Sequence, residues 1–465
     1  VSFVNGEKED ELGFHTDGET CTLNVRRFGA KGDGVQDDTP ALQAAILCCP
    51  AGGRVLVPAG IYRTGPLFLK SHMTLELKKG AVLALSTDIA RFPILPGVIF
   101  PTGEGEEYLL GSWEGNPLDN YASALTGIGV EDVRIIGEGV VDGRAQEGAW
   151  WIKPKEKRGA FRGHLLFLRG CRNISVQGIT FRNSPAWNLH PMFSDDLGFY
   201  NIQVEAPSNS PNTDGFDPQS CRNIRLLGAR FSVGDDCIAI KSGKIELGRK
   251  FNKSAAYHTI RNCLMEYGHG AVTLGSEIGA GVRDLSVSQC WFRGTDRGLR
   301  IKSRRGRGKN CRIDGVRFDN IRMEGVLTPV VINLWYNCCD PDRESEYVWS
   351  REKLPVDDRT PYMGSFHFSN LTCTDAEVAA CYIDGLPEAP IGEVCFENVD
   401  ISFSPNAKPG IPMMENFAKE RCRLGLYLDN VRHISLENVN LTGVDGEKLI
   451  AAHYDTLEEK NFCEA

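Results

Sequence analysis

Four short polar clusters lie in the middle third of the chain: Asn212-Thr213-Asp214, Asp235-Asp236, Gly268-His269-Gly270 and Arg300-Ile301-Lys302. Successive clusters are roughly 21 to 33 residues apart. A solenoid whose coils take about that many residues stacks them on one face. One wall then holds three carboxylates, an imidazole and two cations, which is equipment for acid–base hydrolysis of an anionic substrate. Crowded carboxylates cannot all ionise cheaply, so at least one is expected to keep its proton. Consecutive strand residues point to opposite faces. For Asp235 and Asp236 to reach the same cleft the backbone must bend there, and Gly234 permits it. Arg300 and Lys302, two apart on a strand, project the same way and suit a carboxylate.

The elements that must position these groups repeat from about Val130 onward. Ile174-Ser175-Val176-Gln177-Gly178-Ile179-Thr180-Phe181 has copies at Ile224–Phe231, Val316–Ile321, Val394–Val399 and Ile434–Val439. Each copy is a short alternating run, a Gly or Asn, and a second alternating run. Period-2 alternation marks a strand, and Gly or Asn tolerates the left-handed bend between strands. No amphipathic stretch of helical length separates the copies. Short parallel strands without crossover helices predict an all-β parallel β-helix. Ahead of them, Asp37-Asp38-Thr39-Pro40 opens a helix with Thr39 at the cap and Pro40 at the first helical position. That helix, carried by Ala41, Leu42, Ala44, Ala45 and Ile46, covers the first coil. The reading is one β-helical domain over residues 20–460, with 20–85 forming the cap and first coils. Stretches near 92–127 and 337–363, rich in Pro, Gly, charge and aromatics, break the rhythm and are expected to project beside the binding face.

With 42% hydrophobic residues the chain can bury a large core. Its net charge of −9 argues against a general nucleic-acid partner, and an anionic ligand must meet a local basic patch. No apolar run approaches the roughly 20 residues needed to span a membrane. No signal peptide is visible, and the chain starts at Val1 without an initiating Met. A cytoplasmic location is the expectation, with secretion or a periplasmic location open if the N-terminus is processed. None of the sixteen cysteines has the paired spacing of a zinc site. Cys171-Arg172-Asn173-Ile174 and Cys221-Arg222-Asn223-Ile224 place Cys at one repeated position, which reads as reduced, buried, stacked thiols, with a few disulfides as the alternative. The Asp33/Asp37/Asp38 group reads as turn and capping chemistry rather than a calcium site. No cofactor or metal is called for, and oligomeric state is not legible.

The ordered set Asn212-Thr213-Asp214, Gly234-Asp235-Asp236, Gly268-His269-Gly270 and Arg300-Ile301-Lys302 resembles the signature of glycoside hydrolase family 28, the polygalacturonases and related pectin hydrolases. Each motif alone is a common turn or strand phrase; the ordered four together are specific. The resemblance implies a right-handed parallel β-helix and an inverting, metal-independent hydrolase of α-1,4-galacturonosidic linkages. By the family pattern Asp235 is the general acid, Asp214 and Asp236 hold and activate water, and His269 hydrogen-bonds the acid. Asn212, Arg300, Lys302 and Tyr336 line the substrate cleft. Inversion wants the two carboxyl groups about 6.5–9.5 Å apart, and coils about 4.8 Å apart bring Asp214 and the Asp235-Asp236 pair to either side of a sugar. The insertions favour exo action, by walling off one end of the groove. Endo action, or a rhamnogalacturonan or xylogalacturonan backbone, is the alternative. A calcium-dependent β-helical lyase and a non-catalytic carbohydrate-binding β-helix are the competing classes. The run Arg304-Arg305-Gly306-Arg307-Gly308-Lys309 is either a solvated loop or a patch that steers a polyanion. Trp150, Trp151 and Trp187 serve either sugar stacking or the core.

Overall fold

In the computed structural model, which describes residues 2–4, 8–11, 21–100, 107–337 and 345–463, the repeated units are strands of a right-handed parallel β-helix. Register partners run coil to coil in apolar columns. Ile174, Leu197 and Ile224 form one stretch; Val316, Phe366, Val394 and Ile434 continue it. All are buried, because alternation sends every second side chain into the solenoid.

The bends carry the expected residue. Asn173, Asn223, Asn320, Asn370, Asn398 and Asn438 all hold φ between +52° and +56°. Asparagine adds to the bend what glycine cannot, a side-chain ladder. Asn398 Nδ2 donates to Asn370 Oδ1 at 3.2 Å, Asn438 to Asn398 at 2.9 Å and Asn461 to Asn438 at 2.7 Å.

A second face is built from Leu67–Phe68, Leu125–Ile128, Leu166–Arg169 and Leu189–Met192. Single bridges through Phe216 and Ile238 join it to a seven-stranded sheet. That sheet includes Ala239–Ile240, Val272–Gly275, Arg297–Lys302, Thr328–Asn333, Ala379–Asp384 and Leu424–Asp429. All four polar clusters fall on or beside this face.

The covering helix spans Thr39–Cys48 and buries Ala41, Leu42, Ala45 and Ile46. Thr39 is its first helical residue rather than its cap. Asp38 precedes it and turns inward, where its carboxylate accepts the amides of Lys31 and Gly32 at 2.6 and 3.0 Å. Asp37 Oδ1 accepts the Thr39 amide at 3.1 Å. Two short helices, Ile245–Phe251 and Glu346–Trp349, sit in loops where alternation pointed to none. Among the described residues no helix is long and apolar enough to cross a membrane. The described cysteines are all free; Cys338 and Cys339 lie outside the described residues.

The basic run after Lys302 is neither solvated nor a steering patch. Arg304, Arg305 and Arg307 are buried. Arg305 binds Glu388 through Nε at 2.6 Å and Nη2 at 2.9 Å. It also donates to the Glu352 carbonyl and ties down the second insertion. Only Lys309 stays on the surface, against Asp358 at 2.8 Å. Trp150 packs edge-on against Phe92 and Tyr121, so it belongs to the core; the Trp151 indole donates to the Ser184 carbonyl.

Candidate active site

Asp214 sits one coil before Asp235-Asp236, and the two coils are stitched at the site: Gly215 N donates to Asp236 O at 3.0 Å. Thr213, buried between them, accepts the Gly234 amide on its hydroxyl at 3.2 Å. Gly234 is required for close approach, since a Cβ there would lie 2.6 Å from the Ser210 carbonyl. The bend also turns Asp235 Oδ1 onto the Asp236 amide at 2.9 Å. In the next coil Gly270 clears the same space, because its Cβ would meet Asp236 Oδ1 at 2.9 Å. The glycines around the acidic pair are the room in which it sits.

One oxygen of each of Asp214, Asp235 and Asp236 lies within 4.8 Å of the others. The three carboxylates therefore share one site. Their environments differ. Asp236 is fully buried and takes Arg300 Nη1 on Oδ1 at 3.0 Å and Lys302 Nζ on Oδ2 at 2.7 Å. Burial alone would raise its pKa, but Lys302 and Arg300 outweigh it and hold the carboxyl well below the usual range. Asp214 is pushed well above that range, by burial first and then by the charge of Asp235. Asp236 therefore stays ionised, and the proton of the cluster falls to the rest of it. Asp235 is the partly exposed member of the three. A cation could be held by this cluster on ligand chemistry alone, yet Lys302 and Arg300 already occupy both oxygens of Asp236.

His269 is placed by its own amide, which donates to Asp235 O at 3.2 Å. Its ring Nδ1 pairs with Asp296 Oδ2 at 2.8 Å, which leaves Nε2 as the ring nitrogen that can meet the acid. The Asp296 hydrogen bond first, and then the charge of Asp235, raise the His269 pKa. Asp296 was missed in the sequence. The available signal was an acidic residue four before Arg300, one coil after His269. Asn212 has φ +53° and accepts Arg162 Nη2 at 2.6 Å. Tyr336 is buried beside Lys302, whose Nζ lies 5.8 Å from its ring centre.

Two further features border the cluster. Lys241, buried, pairs with Glu277 at 3.1 Å and Asp217 at 3.6 Å, and stands 4.5 Å over Trp187. Lys241 offsets the effect of burial on Glu277 and brings its pKa down to about 2. Trp187 in turn stacks under Trp113 of the first insertion, with ring centres 6.2 Å apart. Arg162 covers Trp113 at 5.3 Å, so the first insertion closes over the N-terminal side of the site next to Asn212. On the C-terminal side a strap the sequence did not reveal, Ile411–Glu415, crosses the face. Arg297 donates to the carbonyls of Ile411 and Pro412, Met414 Sδ lies 3.2 Å from Arg300 Nη2, and Asn333 Nδ2 holds the Met414 carbonyl at 2.9 Å.

Comparison with known proteins agrees with this arrangement. The family model described as glycosyl hydrolases family 28 matches residues 110–420; one described as rhamnogalacturonase A/epimerase, pectate lyase-like, matches residues 22–76. The chain is 30% identical to a probable polygalacturonase of Vitis vinifera over 82% of this chain and 74% of that protein. It is 29% identical to an exo-poly-α-D-galacturonosidase of Dickeya chrysanthemi over 67% of this chain and 56% of that protein. The crystal structure of an exopolygalacturonase from Thermotoga maritima superposes with a TM-score of 0.71 at 25% identity, covering 86% of this chain and 95% of that one. A family model that spans more than half of the chain, joined to the four motifs gathered on one sheet face, places this chain in glycosyl hydrolase family 28.

Proposed function

We propose that the protein hydrolyses α-1,4-galacturonosidic linkages from a chain end, with inversion, releasing galacturonic acid. The observation that carries this reading is the split of the acidic cluster: Asp236 is buried with Lys302 and Arg300 on its two oxygens, burial pushes Asp214 up, and Asp235 is left partly exposed. In this reading the one proton shared by Asp214 and Asp235 is delivered through Asp235 to the glycosidic oxygen as the bond from the anomeric carbon breaks. Water held by Asp214 and Asp236 attacks that carbon from the opposite face and gives its proton to the ionised Asp236. His269, whose pKa Asp296 raises, stands next to Asp235 through its own amide and can hydrogen-bond the acid. Arg300 and Lys302 serve twice, polarising Asp236 and drawing in a substrate carboxylate. The Trp113 turn supplies the end wall that suits exo action, and the exo-acting relatives named above support it.

The test is a timed product analysis on polygalacturonate and defined oligogalacturonides, with chelator present and the anomer followed by proton NMR. Galacturonic acid alone from the start, formed first as the β-anomer, is the expected result. A ladder of oligomers would replace exo by endo action. The α-anomer first would remove inversion, and an unsaturated, ultraviolet-absorbing product lost with chelator would replace hydrolysis by elimination.

A further inference from the structure

We propose that the same sheet face carries a second carbohydrate site beyond the strap, built on Tyr382, Tyr427, Asp384 and Asp429, which binds a neutral sugar residue of the substrate polysaccharide. This rests on the reading of the cleft as one for a pectic chain, and it names a part of that chain the cleft itself does not select.

The site continues the two rows that build the catalytic wall. The row of Arg300 runs on through Val331, Tyr382 and Tyr427, and the row of Lys302 through Asn333, Asp384 and Asp429. Three strand steps place Tyr427 roughly 14 Å from Arg300 along the solenoid. A cavity of about 380 Å³ opens there. Its floor is a pair of stacked tyrosine rings, 4.5 Å between centres and 24° apart. Trp335 stands beside them, covered by Arg351 at 4.0 Å. Flat aromatic surface flanked by fixed carboxylates is what a pyranose needs: its apolar face stacks while neighbouring hydroxyls donate to an acid. Both acids are oriented. His453 Nδ1 lies 2.7 Å from Asp429 Oδ1, and Arg351 Nη1 donates to Asp384 Oδ2 at 2.5 Å.

Charge decides which sugar. In the cleft Arg300 and Lys302 favour a uronate. In the cavity the guanidinium of Arg351 pairs with Asp384 and the neighbouring Glu415, and the imidazole of His453 with Asp429, so three carboxyl groups meet one fixed cation and one histidine. A galacturonate placed here meets like charge, whereas a neutral sugar does not. The strap, through the pairing of Tyr336 with Glu415, separates cleft from cavity. The occupant is therefore a neutral branch or neutral stretch of the chain rather than the next uronate of a smooth backbone.

The experiment uses the full chain and saturation-transfer NMR with neutral galactobiose, arabinobiose and xylobiose as probes, and digalacturonate as the cleft ligand. Wild type is compared with Tyr427→Ala and with the near-isosteric Asp429→Asn, which keeps the fold if the aromatic truncation does not. At least one neutral disaccharide should bind, about tenfold more weakly in both variants, with digalacturonate binding and hydrolysis of unbranched polygalacturonate unchanged. Absence of neutral-sugar binding, or neutral-sugar binding indifferent to Asp429→Asn, overturns the proposal. An enzyme inactive on polygalacturonate that still binds a neutral disaccharide through Tyr427 and Asp429 would sink the cleft assignment instead.

Discussion

Asp236 shows how one residue can be held in the state its chemistry needs. A fully buried carboxylate is costly unless paired, and two cations at hydrogen-bond distance pair it. Asp236→Asn leaves Arg300 and Lys302 buried and uncompensated. It should lower stability by about 3–5 kcal/mol and kcat by about 10²–10⁴-fold, read by thermal unfolding and single-substrate kinetics. The sign of the pH effect follows from the depressed pKa. Ionised Asp236 stabilises the fold above the ordinary carboxyl value of about 3.9, and that contribution is lost as pH falls through the lower folded value. Acid unfolding of the Asn variant should therefore depend less steeply on pH than that of wild type. Asp296 acts through another residue, holding His269 and raising its pKa while Asp235 and Asp236 add to the same shift. In Asp296→Asn the limb of the kcat/KM profile governed by His269 should move to lower pH, with a loss of roughly tenfold at neutral pH, by the lower end of general acid–base contributions. A profile that keeps its shape while falling uniformly would make Asp296 a packing residue only.

The turn asparagines do at the level of the element what the glycines do at the site. Asn370, Asn398 and Asn438 accept a left-handed bend and are joined side chain to side chain from coil to coil, so the ladder fixes both bend and register. Two substitutions at Asn398 separate these effects. Asn398→Gly keeps the bend and loses two ladder bonds, at about 1 kcal/mol apiece. Asn398→Ala loses the same bonds and adds the strain of a left-handed alanine, about 1–2 kcal/mol more. Urea unfolding should rank the variants in that order; equal destabilisation would mean the bend is not under conformational constraint.

The whole molecule has a cleft bounded on both sides, by the Trp113 turn toward the N-terminal coils and the Ile411–Glu415 strap toward the C-terminal coils. Trp113→Ala removes the ring that stacks on Trp187 and Phe161 and opens the first of these walls. Products from polygalacturonate should then include oligomers as well as the monomer, with unfolding temperature checked in parallel because a buried Trp is lost. A product spectrum that stays purely monomeric would move the end wall to the strap.

Alternation, Asn at the bends and the order of four motifs were enough to read the parallel β-helix and the residues of its wall, because stacking in a solenoid turns sequence period directly into spatial proximity. The same local logic could not reach what depends on distant segments. Arg304, Arg305 and Arg307 read as a surface run, yet Arg305 is buried against Glu388, 83 residues away. Met414 comes to Arg300 from 114 residues further on, carried by a loop with no periodic signal. Asp296 joins His269 through Nδ1, a partner the motifs did not name, because side-chain direction within a coil is set by neighbouring coils rather than by spacing. Sequence alone determined which groups share the wall. The tertiary structure decided which carboxyl keeps its charge, since burial and the placement of Lys302 and Arg300 are properties of the packed solenoid.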